Sequence, residues 1–247
     1  MSIKMFKLNY LKNKNIDLFK DLGDEEFGHF KLIQNYCPTY ENFFQLSDQN
    51  WNNVNLNHKF SLCNMKERVN LNIFKVEVKT DDNEIFQKDS FFKYSPLMDP
   101  IKYMTGKYKK TEEGLLTSLP GLEMKETNCL DKMKDRNNSA YIDAFFSFLS
   151  SRLLHDHKFL HGLDYYGSFL GVQKDYKHNV IDELDYLYES KYFFENNGKK
   201  FNVESINDSD YISNESRSNK KKLKLVNEDL KANNIISEIK IDTINEE

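Results

Sequence analysis

Glycine and proline are scarce, with 9 and 4 among 247 residues, which argues against a sandwich or barrel built from many tight turns. Cysteine is scarcer still. Cys37, Cys63 and Cys129 are odd in number and widely spaced, so they build neither a disulfide framework nor a C-x-x-C metal knuckle. Reduced, structural thiols are expected, which favours cytosol or nucleus. No long apolar run exists: Met1 to Tyr10 alternates lysine with apolar residues, and no stretch approaches the roughly 20 needed to span a bilayer. A soluble, unexported protein without membrane contact is expected. Charge of one sign is not in large excess. The net charge of -4 and pI of about 5.9 create no long-range pull toward nucleic acid, so none is expected as a partner.

Hydrophobic residues make up 39% and aromatics 14%, enough for a core if they are concentrated, while the mean hydropathy of -0.73 requires strongly polar stretches elsewhere. Abundant Lys, Asn, Ile, Tyr and Phe beside few Ala suits an AT-rich genome and says nothing about chemistry. The expected fold class is α+β: a small antiparallel sheet against a buried helix, an irregular N-terminal region at 1–60, an α+β domain at 61–203 and a polar, disordered tail at 204–247.

Phe27, Phe30 and Ile33 share a face if Asp24 to Tyr36 is a short helix, which Cys37-Pro38 would end. Asp48 to His58, with five asparagines, reads as turns. Val69, Leu71 and Ile73, then Val76 and Val78, alternate with polar residues, and Thr80 to Asn83 supplies turn residues before Ile85 to Tyr94. A β-hairpin over 68–94 is predicted. Pro96, Pro100 and Leu119-Pro120-Gly121 mark loops, with a helical turn between them at 101–108. The best helix spans Ser139 to His155, capped at Asn138-Ser139, with a wide apolar face of Ile142, Phe145, Phe146, Leu149, Leu153 and Leu154. Tyr165 to Val172 reads as a short strand, Val180 to Tyr188 as a helix, and Lys191 to Val203 as a hairpin around Asn196-Asn197-Gly198. Leu223 to Ile241 recovers some apolar spacing.

Catalytic motifs are missing. There is no H-E-x-x-H, no G-x-S-x-G and no G-x-x-x-x-G-K-[ST]. His157 and His161 could share a helical face toward a metal, but no third ligand is evident. No metal site is assigned, and helix-end histidines are the alternative. Lys220 to Lys224 reads as a solvated cluster or a nuclear address. Asp182, Glu183 and Asp185 read as surface carboxylates.

Two blocks point further. The first is Phe91-Phe92-Lys93-Tyr94-Ser95-Pro96-Leu97-Met98-Asp99-Pro100. The second runs Asn138-Ser139-Ala140-Tyr141-Ile142-Asp143-Ala144-Phe145-Phe146 and continues through His161-Gly162-Leu163-Asp164-Tyr165-Tyr166-Gly167-Ser168-Phe169. In order and wording they resemble the N-terminal region of a protein-kinase-like family of large nucleocytoplasmic DNA viruses, over about residues 60–203.

The resemblance implies a kinase small lobe, with ATP and magnesium as cofactors of the full-length protein only. Its serine/threonine kinase-like catalytic half would lie beyond a polar insertion like the 204–247 segment. It also implies a protein substrate of unknown identity, and residence in host cytoplasm, a viral factory or the virion. Lys93, on the returning strand, maps to the lysine that meets the nucleotide phosphates, and Asp143 to the helix carboxylate that orients it. An edge-strand lysine and a carboxylate favoured by the helix dipole are the alternatives. The chain departs from a kinase in having no glycine between His58 and Tyr94, no His-x-Asp loop and no Asp-Phe-Gly motif. This chain alone is therefore expected to be inactive. A non-catalytic interaction or structural module on the same scaffold is the other reading.

Overall fold

The computed structural model of the chain describes Leu8 and residues 10–57, 59–122 and 128–203. The fold is α+β, with small antiparallel sheets and helices, in two compact units, Met1–His178 and Asn179–Glu247. In the first unit β1 (Leu11–Lys12), α1 (Ile16–Gly23), β2 (Phe30–Gln34) and β3 (Val54–Asn55) precede the long strands β4 (Phe60–Arg68), β5 (Ile73–Thr80) and β6 (Ile85–Phe91). Three short helices follow, α2 (Pro100–Met104), α3 (Glu113–Leu116) and α4 (Asp131–Lys134), then the long helix α5 (Ser139–His157) and β7 (Leu170–Gln173). The second unit contributes α6 (Leu184–Tyr188) and α7 (Lys191–Asn196).

Strands β4, β5 and β6 form a three-stranded antiparallel sheet with β5 at its centre. Phe74, Val76 and Val78 of β5 point inward at period two and are fully buried. The predicted hairpin is there, but its first strand begins at Ile73. Asn70 closes a turn instead, its side-chain oxygen accepting from the backbone N–H groups of Asn72 and Ile73 at 3.0 and 2.9 Å. Val69 and Leu71, read as strand residues, are therefore exposed on that turn. The preceding strand β4 shows no clean alternation in its sequence, because register shifts after Leu62 and Met65 break it.

Residues from α1 and the turn after it join this core. Leu18 and Leu22 of α1, with Phe27, bury against Leu62, Met65, Phe74, Val76 and Val78. The helix expected over Asp24 to Tyr36 is not formed. Gly28, His29 and Leu32 have positive φ, which an α-helix excludes, and Phe30 to Gln34 pairs with β7 as a strand. Trp51–Asn53 is a 3₁₀ turn within the predicted turn region.

Helix α5 is capped as expected, Asn138 Oδ1 accepting from the Ala140 N–H at 3.0 Å. It does not lie on the three-stranded sheet. Tyr141, Phe145 and Phe148 bury with Tyr165 against Cys37, Tyr40, Val54 and Leu56, and Leu149 packs on that cluster. Burial pushes the Cys37 thiol up to about 12, the state of a packing group. All three cysteines are free thiols.

A charged clasp fixes the chain just before α5. The Glu41 carboxylate, 10% exposed, accepts from Arg136 Nη2 at 2.7 Å and from the Tyr36 hydroxyl. Burial first, and Glu41 second, hold that hydroxyl well above the usual tyrosine range, so it stays a donor. Replacing Arg136 by Met leaves the carboxylate without its cation. The expected loss in urea unfolding is about 2 kcal/mol, below the roughly 3–5 kcal/mol of a fully buried pair, because the arginine is partly exposed. Adding Glu41→Gln should recover much of it. A double variant no more stable than Arg136→Met would show that the stranded charge is not the cause.

In the second unit Leu184, Leu187 and Phe193 are buried, and Phe193 stacks on Phe201 with centroids 5.6 Å apart. The predicted hairpin over Lys191 to Val203 is instead helix α7 followed by a turn. The Ser190 hydroxyl accepts from the Phe193 N–H, an N-cap that sets the helix going. The tail at 204–247, with Lys220 to Lys224 and Leu223 to Ile241, lies outside the described residues.

Candidate functional site

Lys93 does not lie on the returning strand. Strand β6 ends at Phe91, and Lys93 sits two residues beyond, between two anchored aromatics. Phe92 turns inward, its ring 4.9 Å from Phe74 and its N–H donating to Asn72 O at 2.7 Å. Tyr94 stacks on Phe30 at 6.0 Å, and burial raises its hydroxyl above the usual range. With both neighbours packed, the backbone at Lys93 is fixed and its side chain points outward.

There it meets α5. Lys93 Nζ lies 2.5 Å from Asp143 Oδ2, joining residues 50 apart in sequence. Both predicted site residues are thus brought together, although the helix does not cover the sheet as expected. Phe146, assigned to that covering face, is 67% exposed. Asp143 stands beyond the first turn of α5, where the helix dipole that would favour an isolated carboxylate has faded. The pair is solvent-facing, at 62% and 44% side-chain exposure, so it adds at most about 1 kcal/mol to stability.

The site presents one positively charged arm, the Lys93 amine. The β4–β5 turn is closed by Asn70, with no glycine to let backbone N–H groups approach a phosphate. Among the described residues no group of three or more His, Cys, Asp or Glu is placed to hold a metal. His155 pairs with Asp164, His161 meets Phe159 edge-on at 5.6 Å, and His157 is exposed at the end of α5, so the three do not converge. Asp182, Glu183 and Asp185 belong to the second unit, on a 3₁₀ turn and α6.

A second polar junction went unread in the sequence. Asp164 Oδ1 lies 2.6 Å from His155 Nε2 on α5, and its Oδ2 lies 3.4 Å from Lys88 Nζ on β6. A hydrogen bond to Tyr166, and after it the Asp164 carboxylate, hold the Lys88 amine above its ordinary range. No periodicity links residues 88, 155 and 164, so only the folded chain reveals them as neighbours. Among the described residues no helix is long and apolar enough to cross a membrane. Comparison with known protein families, with characterised proteins and with solved structures finds no match to this chain.

Proposed function

We propose that this chain is the small-lobe-like portion of a serine/threonine protein-kinase-like protein, whose phosphotransfer, with ATP and magnesium, takes place only in the full-length protein. The observation that carries this reading is the Lys93–Asp143 contact at 2.5 Å. A lysine just after the third strand of an antiparallel sheet meets a carboxylate on the long helix that follows, the order a kinase small lobe requires. The contact adds little stability, whereas a phosphate site needs its lysine fixed before the ligand arrives. In this role Lys93 would hold phosphate oxygens and Asp143 would keep the amine oriented. Magnesium would supply charge neutralisation.

With no His-x-Asp base and no Asp-Phe-Gly carboxylate in its sequence, the 247-residue chain is expected to transfer no phosphate. Incubation with radiolabelled ATP and magnesium should stay at the blank. Turnover above it that disappears in Lys93→Met would overturn this.

One observation favours the other reading, a non-catalytic interaction module. Ile142, Phe146 and Leu153 on the outer side of α5, and Leu160 and Leu163 just beyond it, are exposed apolar side chains.

A further inference from the structure

The apolar face of α5 is spent on Tyr40, Val54 and Leu56, so something else must hold the helix to the sheet that leads into Lys93. Part of the connection is a ring contact, His155 of α5 edge-on to Phe60 of β4 at 5.7 Å, and the rest is polar and runs through three consecutive residues. Asp164 takes His155 of α5 and Lys88 of β6 on its two oxygens. Tyr165 N–H donates to Ser151 Oγ of α5 at 3.2 Å, and Tyr166 O accepts from Leu62 N–H of β4 at 3.0 Å. Gly162 seats this segment. A Cβ there would stand 2.6 Å from the Ser150 carbonyl oxygen, so only glycine lets the turn rest directly on α5.

The spacing of the contacts matters. Lys88 and Lys93 are five residues apart on extended chain, roughly 16 Å. Asp143 and His155 are twelve residues apart on a helix, roughly 18 Å. The two rungs join the later lysine to the earlier helix residue and the earlier lysine, through Asp164, to the later one, so along them α5 and the 88–93 segment run in opposite senses. At the first rung a lysine meets a carboxylate directly. At the second, an imidazole and an ammonium reach the same carboxylate, one on each oxygen.

We propose that Asp164 is the positioning residue of the candidate site, its carboxylate locking the C-terminal end of α5 to β6 so that Asp143, toward the other end, meets Lys93. The significance of that meeting rests on the function proposed above. The positioning itself does not involve nucleotide, so the two can fail separately.

The test is labelling of lysine amines by a small acylating reagent, read residue by residue by mass spectrometry, in the whole 247-residue chain without nucleotide. Asp143→Asn sets the scale for an unpaired Lys93. Asp164→Ala is expected to raise Lys93 labelling about threefold, the scale of one exposed ion pair, and Asp164→Glu to leave it near wild type. Lys75, paired with Glu67 at 2.6 Å on β5, is the internal control and should not change. Lys88→Met removes the sheet arm together with the Lys88–Tyr166 contact, from a side chain 45% exposed, and should act in the same direction even where Asp164→Ala fails to fold. Lys93 labelling unchanged in Lys88→Met and in a folded Asp164→Ala would overturn the proposal. So would Lys75 rising in step with Lys93, or Asp143→Asn leaving Lys93 unaffected.

Discussion

Phe148→Ala is expected to cost about 3–5 kcal/mol in urea unfolding, while Phe146→Ala two positions earlier should stay within about 0.5 kcal/mol. Phe148 is fully buried, its ring 6.0 Å from Phe145 and 5.9 Å from Tyr165, in the cluster that anchors α5 to the loops around Tyr40 and Leu56. Truncation leaves a ring-sized hole in a cluster shared with Val54, Leu56 and Tyr165, side chains of other segments that cannot all collapse into it. Against a typical total of about 5–15 kcal/mol, that loss brings the fold near its limit. Phe146 projects to solvent and leaves no such hole. Equal losses at the two positions, or a larger one at Phe146, would mean that α5 buries its other side, the orientation in which it covers the sheet.

The contrast between these two phenylalanines shows where the sequence stops being informative. Apolar residues occur on nearly every side of α5, so periodicity established the helix and its Asn138 cap without selecting the face that is buried. The choice is made by Tyr40 and by Val54 and Leu56, residues far away in sequence, the last two in a segment that reads as asparagine-rich turns. Local chemistry was legible wherever it acts locally. Thr80 to Asn83 closes the β5–β6 hairpin as the residue types demand, with Asn83 at φ 65° and its N–H donating to Thr80 O at 3.1 Å. Strand β4 stayed hidden because its register shifts move Leu62 and Met65 out of strict alternation. Strand β2 stayed hidden because its partner β7 lies about 140 residues away, and Phe27, Phe30 and Ile33 happen to mimic helical spacing.

The approach of Asp143 to Lys93 follows the expectation drawn from the two motif blocks that carry them. The anchoring of Lys93 by Phe92 and Tyr94 was not legible, because it depends on Phe74 and Phe30 arriving from other strands. The Asp164 junction was invisible for the same reason.

Lys93→Met is expected to lower phosphotransfer by the full-length protein on the order of 100-fold, the usual cost of removing one preorganised charge partner of a reacting phosphate. Lys93→Arg should lose nearly as much, since a planar guanidinium does not reproduce a compact ammonium seated between Asp143 and a phosphate. The most direct measurement needs no turnover. An ATP analogue bearing a reactive acyl phosphate transfers its acyl group to the amine nearest the nucleotide phosphates, and mass spectrometry identifies the modified lysine. In the full-length protein with magnesium, Lys93 should be the principal site of modification, and excess ATP should suppress it. Modification spread over exposed lysines such as Lys75 and Lys102, indifferent to ATP, would contradict the assignment of Lys93 and Asp143 to a nucleotide site.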